Sequence, residues 1–205
     1  MTMIVGMSLG DYVLVASDRR QVCVVNGEVH HVESDSVNKI IECPIGFITG
    51  SGYVPLLNEF KNELKSRSIG NTDEILEIAK EVSNRVPPEL DSWEKQTNWM
   101  FTYVASNETG NTPRIAIIEA KSYSAIRILD DMSATIWAKL PDLGVKIKEL
   151  NGQLKPADQF SSIEESASYH VSLLKELFEY GEKFDPTVCS SFDACLQLKD
   201  GTKCV

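Results

Sequence analysis

Apolar residues fill nearly every position of two neighbouring runs, residues 2–7 (TMIVGM) and 12–17 (YVLVAS). A strand with no polar face is one whose sheet is covered on both sides, so these runs predict a hairpin inside a covered sheet. The turn falls in the SLGDY stretch. A two-residue loop at Gly10–Asp11 sets Thr2 opposite Arg19, and a three-residue loop from Leu9 to Asp11 sets it opposite Asp18. Either register leaves Thr2 beside the Asp18-Arg19-Arg20 end. A second hairpin follows in QVCVV-NG-EVHHV, where Asn26–Gly27 carries the type I′ turn signature. The segments NKIIEC (38–43) and GFITGSG (46–52) again read as strands.

The period then changes from two to about 3.6. Leu56, Leu57, Phe60 and Leu64 share a helical face, with Pro55 suited to a first turn. A second helix starts on a Thr72 cap, with Asp73 and Glu74 at its positive end. Its apolar face is Ile75, Ile78, Ala79 and Val82, and Pro87–Pro88 stops it. Helices are therefore expected from about 55 to 67 and from 72 to 86. Strands return in NWMFTYVAS, RIAIIEA, SAIRIL and ATIWAKL, with SNETGNTP as a loop. Residues 141–160 show no clear period. From Ser162 a helix runs on Ile163, Ala167, Val171, Leu174, Leu177 and Phe178, with Ser162 and Glu165 as a capping box and Asp185–Pro186 as its end. SFDACLQLKDG closes the chain as strand and turn. Strands, two helices, strands, helix, strand, with both faces of the first hairpin apolar, predict an α+β fold of the four-layer α-β-β-α sandwich kind. A simpler α+β arrangement fits the same order.

Length and composition narrow the function. The 205 residues suit a single domain, 1–205. A net charge of −10 argues against a general nucleic-acid binder, which needs clustered Lys and Arg. No apolar run approaches the roughly 18–20 residues that span a bilayer, and the N-terminus lacks the basic and long apolar regions of a signal peptide. The expected location is cytoplasmic, with no membrane partner. Cys23, Cys43, Cys189, Cys195 and Cys204 are odd in number and form no C-x-x-C pair, so structural thiols are expected rather than disulfides or zinc. His30 and His31 are adjacent on a strand and should face opposite ways, which makes them poor joint metal ligands. His170 is read as a packed helix residue. No metal and no cofactor is expected.

Several short stretches in order resemble the proteasome β-subunit family of N-terminal-nucleophile hydrolases. TMIVG from Thr2 to Gly6 is similar to the family's mature Thr-Thr-Ile-Val-Gly start. The Gly10–Asp11 turn and Ala16-Ser17-Asp18-Arg19-Arg20 match its turn and Ala-Asp-x-Arg strand end at the same distance from the threonine. NKI puts Lys39 where the family has its active-site lysine, after a loop lengthened by the extra hairpin. Gly50-Ser51-Gly52 then resembles the family's Gly-x-Gly pair. FDPTVCSSFDACLQLKDG is similar to the family's Arg-Asp-x-x-Ser-Gly-Gly segment, with Asp185 at the aspartate. Two places depart from the pattern. TIWAKLPDLG stands where the family has Gly-Ser-Gly, and Val188 replaces the serine after Asp185, with Cys189 and Ser190 for glycines.

The resemblance implies a threonine peptidase exposed by loss of Met1. Thr2 would be the nucleophile and its own freed amine, of ordinary pKa about 8, the base. Lys39 would lower that pKa and Asp18 would hold Lys39 charged. Asp185 completes the catalytic set, and Arg20 supports it. Backbone N–H groups around Gly50 and Gly52 would hold an oxyanion, worth roughly 3–4 kcal/mol per donor. The implied partners are a peptide or protein substrate and further copies of the chain, as a homo-oligomer or ring. The rival reading is a non-catalytic scaffold or binding subunit that keeps Met1; a small-molecule amidase or transpeptidase is a third.

Overall fold

The computed structural model describes residues 2–25, 28–87, 96–108, 110–119 and 125–204. The Asn26–Gly27 turn, Pro88 and Met1 lie outside them. The elements are β1 (Ile4–Ser8), β2 (Tyr12–Asp18), β3 (Gln21–Val25), β4 (Glu28–Ser34), β5 (Ile41–Cys43) and β6 (Gly46–Ser51), then helices α1 (Val54–Ser66) and α2 (Thr72–Ser83). There follow β7 (Asn98–Asn107), β8 (Gly110–Glu119), β9 (Arg127–Ile128), β10 (Ser133–Trp137), α3 (Leu143–Gln153), α4 (Ile163–Phe184), β11 (Phe192–Leu198) and β12 (Lys203–Cys204). One antiparallel sheet has the order β10-β1-β2-β11-β12 and a second the order β5-β6-β7-β8-β9, while β3 and β4 pair with each other. No helix among the described residues is long and apolar enough to cross a membrane.

Alternation along the strands sorts the core into three apolar clusters. Met3, Val5, Met7, Tyr12, Leu14 and Ala16 pack with Leu150 of α3 and Leu174, Leu177 and Phe178 of α4. Ile4, Val13 and Val15, pointing the other way, meet Phe47, Met100, Ile115 and Ile117 of the second sheet. The opposite side of that sheet packs Ile48, Trp99, Phe101 and Ile118 against Leu56, Phe60, Ile75 and Ile78. Every residue of β1 and β2 is buried, as an uninterrupted apolar pattern requires. Gly6 sits where the sheets approach: a Cβ there would lie 2.7 Å from Met100 Sδ.

The β1–β2 turn is the two-residue one. Leu9 N donates to Tyr12 O at 3.0 Å, and Ser8 pairs with Val13. Gly10, the first loop residue, has a φ of 80°, and Leu9 O accepts from Asp11 N at 3.1 Å, a tight γ-type turn that favours glycine. Extending this register carries Thr2 to the side of Arg19.

Several boundaries differ from the sequence reading. The cap of α2 is Asn71, whose side chain accepts from Glu74 N at 3.0 Å, and Thr72 is the first helical residue. The α2 helix ends at Ser83, short of the prolines. SNETGNTP is largely strand, because β7 and β8 stay paired from Ala105–Thr112 to Asn107–Gly110. Residues 141–160 hold α3 and a short 3-10 turn at Ala157–Gln159. The Ser162 hydroxyl accepts from Glu165 N, but Glu165 Oε2 accepts from Ser161 N, one residue before the cap. His30 and His31 do not face opposite ways: their Nδ1 atoms are 2.9 Å apart. The register explains it, since Cys23 opposes His31 and Val24 opposes Val29, leaving His30 as the extra residue of a β-bulge.

Candidate functional site

The site is built at the open end of the β1–β2 hairpin. Asp18 closes β2, and its backbone N–H donates to Met3 O at 3.1 Å, which brings the start of the chain alongside it. The carboxylate accepts from Met3 N (2.9 Å) and Lys39 Nζ (2.9 Å) through Oδ1, and from Arg20 N (3.0 Å) through Oδ2. The Asp18 side chain is 0% exposed and that of Lys39 13%. Burial pushes the Asp18 carboxyl up, while the cation and hydrogen bonds of Lys39 pull it down. Burial likewise lowers Lys39, and Asp18 opposes that. A carboxylate with three N–H donors is stabilised in its ionised form, so we treat the pair as charged. Thr2 lies immediately before Met3, partly buried, so the sequence-expected Thr2, Asp18 and Lys39 converge on one end of this hairpin.

Arg20 does not reach the Asp18 side chain with its guanidinium. It forms a fork with Asp35 (2.7 and 2.9 Å), bonds Glu182 of α4 at 3.2 Å, and donates to the carbonyls of Pro186 and Val188. The Asp35 bonds raise its pKa, and Arg20 in turn holds Asp35 low. Arg20 therefore ties β2 to the loop after α4, a supporting position.

Asp185 caps α4 and folds its own loop: Oδ1 accepts from Thr187 N (2.9 Å) and from the Thr187 hydroxyl (2.6 Å). Its buried Oδ2 has no hydrogen-bond partner. Val188, which follows, is fully buried, and Cys189 behind it is buried with its thiol pushed up by desolvation. The last turn of α4 brings this loop and the chain start together: a Cβ on Gly181 would lie 2.6 Å from Met3 Sδ and 3.4 Å from Val188 Cγ1.

Gly50 and Gly52 stand at the β6–α1 junction. A Cβ on Gly50 would come within 2.5 Å of Leu57 Cδ2 and 2.8 Å of Asn98 O. Gly52 has φ of +134°, and a Cβ there would lie 2.4 Å from Thr97 Cα. Both glycines are thus required by packing, whatever their N–H groups do in addition.

Solved structures share the fold that carries these residues. The chain is similar to eukaryotic HslV from Trypanosoma brucei, with a TM-score of 0.55 and 14% identity over 96% of this chain and 99% of that one. It is also similar to the Anbu (Gly-1) mutant from Hyphomicrobium sp. strain MC1, with a TM-score of 0.63 and 12% identity over 100% and 85%. The fold is proteasome-like. No protein-family model matches the sequence, and no curated protein does either. At these identities the proteasome-like architecture is what the two structures share with this chain.

Within that fold the sequence reading missed one cation. Lys61 of α1 donates from Nζ to the backbone O of Lys39 at 2.6 Å. Burial, with Lys39 and Lys65 nearby, lowers its ammonium to about 8. Lys61 occurs on a helix among other lysines, at a spacing no local motif marks. Only the tertiary approach of α1 to the segment before β5 reveals it.

Proposed function

We propose that the protein is an N-terminal-threonine hydrolase that cleaves peptide amide bonds once removal of Met1 exposes Thr2. The observation that carries the reading is the buried Lys39–Asp18 pair, anchored by Met3 N to the first strand of a proteasome-like fold. In this reading the Thr2 hydroxyl attacks the scissile carbonyl and the freed amine of Thr2 takes its proton. The Lys39 cation lowers the amine's pKa, keeping more of it neutral near pH 7. Asp18 holds Lys39 in place, and backbone N–H groups beside Gly52 receive the developing oxyanion. The three apolar clusters support a single four-layer α-β-β-α domain, with helix pairs outside two facing sheets. Assembly as a homo-oligomer belongs to the same proposal.

One observation favours the rival, a non-catalytic subunit of the same fold. The serine expected after Asp185 is the buried Val188, and Asp185 Oδ2 has no hydrogen-bond partner. Two measurements on the purified full chain separate the readings. Intact mass is expected to be short by one methionine, and Thr2→Ala is expected to reduce hydrolysis of fluorogenic peptides by about a thousandfold or more. Retained Met1 with no wild-type turnover would support the non-catalytic subunit instead.

A further inference from the structure

A second cluster of reactive side chains lies away from Thr2, on the β3–β4 hairpin. Cys23 of β3 directly opposes His31 of β4, and Glu33 follows His31 by two residues. One ligand atom from each of the three lies within 4.8 Å of the other two. The register shifts twice in this short hairpin, between Cys23 and Val24 and between Gln21 and Val22. The first shift makes His30 an extra residue and the second does the same for Glu33, and bulges are a common device for re-aiming side chains. Further polar groups stand behind two of the three. His30 meets the His31 ring Nδ1 to Nδ1 at 2.9 Å, and Gln21 Nε2 donates to Glu33 Oε2 at 2.5 Å. Outer contacts of this kind fix the orientation of ligating imidazoles and carboxylates.

We propose that Cys23, His31 and Glu33 form a surface site for one zinc-type divalent ion, independent of the Thr2 reading. Thiolate, imidazole and carboxylate together suit a borderline-soft tetrahedral metal rather than calcium or magnesium, which take oxygen ligands. Ligand atoms around tetrahedral zinc, at about 2.0–2.3 Å from the metal, stand roughly 3.5 Å apart. Closing the cluster requires side-chain movement of about 1 Å, open to residues at the surface. Cys23 gives its thiol proton to solvent on binding, so thiolate, carboxylate and Zn²⁺ sum to a neutral site. The fourth position is left open. The ion clamps β3 to β4, a pair that joins neither five-stranded sheet among the described residues. Cys43, Cys189 and Cys195 are buried and stand outside the cluster.

The test is titration of the full chain, reduced and freed of metal, with cobalt(II) chloride and then zinc chloride, read by absorption and by competition with a chromophoric chelator. One equivalent of cobalt should give tetrahedral ligand-field bands and a thiolate charge-transfer band, both bleached by zinc. Removing an outer partner of a metal ligand costs about 10–100-fold in affinity, so removing a ligand should cost at least about tenfold. That loss is expected for both Cys23→Ser and His31→Ala, and the charge-transfer band should vanish in Cys23→Ser. Circular dichroism of the metal-free variants should match that of the wild type, because His31 is exposed and Cys23→Ser is a near-isosteric change at a half-buried position. Failure to bind one equivalent, or zinc affinity unchanged in both variants, would overturn the proposal.

Discussion

Asp18 is a charge with no route to water, and its environment has to supply what solvent would. Met3 N, Arg20 N and Lys39 Nζ do so, and Lys39 alone brings a compensating charge. Replacing Lys39 by Met leaves the carboxylate buried and uncompensated, at a cost of about 3–5 kcal/mol near neutral pH. The penalty should depend on pH in a defined sense. Burial already raises the Asp18 carboxyl, and without the cation that opposes it the folded value rises further above that of the unfolded chain. The folded state then keeps a proton that the unfolded chain releases. Stability is therefore fullest at low pH and is lost as pH rises through the folded value. Urea unfolding of Lys39→Met should show a midpoint that falls relative to wild type as pH rises above about 4, the ordinary carboxyl value. A parallel pair of profiles would mean that Lys39 does not compensate Asp18. Both members of this pair were legible in the sequence, through the resemblance of the Ala16–Arg20 and NKI stretches to the proteasome β-subunit family. Lys61 was not, since nothing local distinguishes a lysine whose ammonium lands on the Lys39 carbonyl.

At the scale of elements, periodicity was a good guide where one face is buried and a poor one where it is not. The buried faces of α1, α2 and α4 carry large apolar residues at helical spacing, and each was readable. Leu150 is the one buried residue of α3, with Leu143 and Ile147 half-buried, so its stripe is too thin to stand out. The outer ends of β7 and β8 were hidden for a related reason: backbone pairing extends there into exposed polar residues. The β6–α1 junction depends instead on the absence of side chains. Gly52→Ala must adopt a strained φ and press its methyl into Thr97, an expected loss of about 2–4 kcal/mol in urea unfolding. Gly144→Ala, in the open on α3, should stay within about 1 kcal/mol of wild type or gain stability. Equal effects at the two positions would show that the junction is looser than its contacts imply.

For the whole molecule, the order of strands and helices conveyed a mixed α/β fold, while the contact between the two sheets became visible only through the apolar cluster they share. The hairpin that carries Cys23 and His31 shows the limit of strict alternation, since one bulge undid the expected separation of two neighbouring histidines. The net charge of −10 bears on the proposed assembly. Copies of an acidic chain repel one another, and salt screens that repulsion beyond about 10 Å at 0.1 M. Light scattering should therefore give a mass several times that of one chain, with assembly favoured by added salt. A single-chain mass at every ionic strength would contradict a homo-oligomer. The bonds at Asp18 have a last consequence, for inheritance. None of its three donors is the Thr2 side chain; the chain start is gripped through the main chain of Met3. Drift at position 2 therefore leaves the Asp18 contacts in place, so a lineage can change that side chain while descending with the same scaffold.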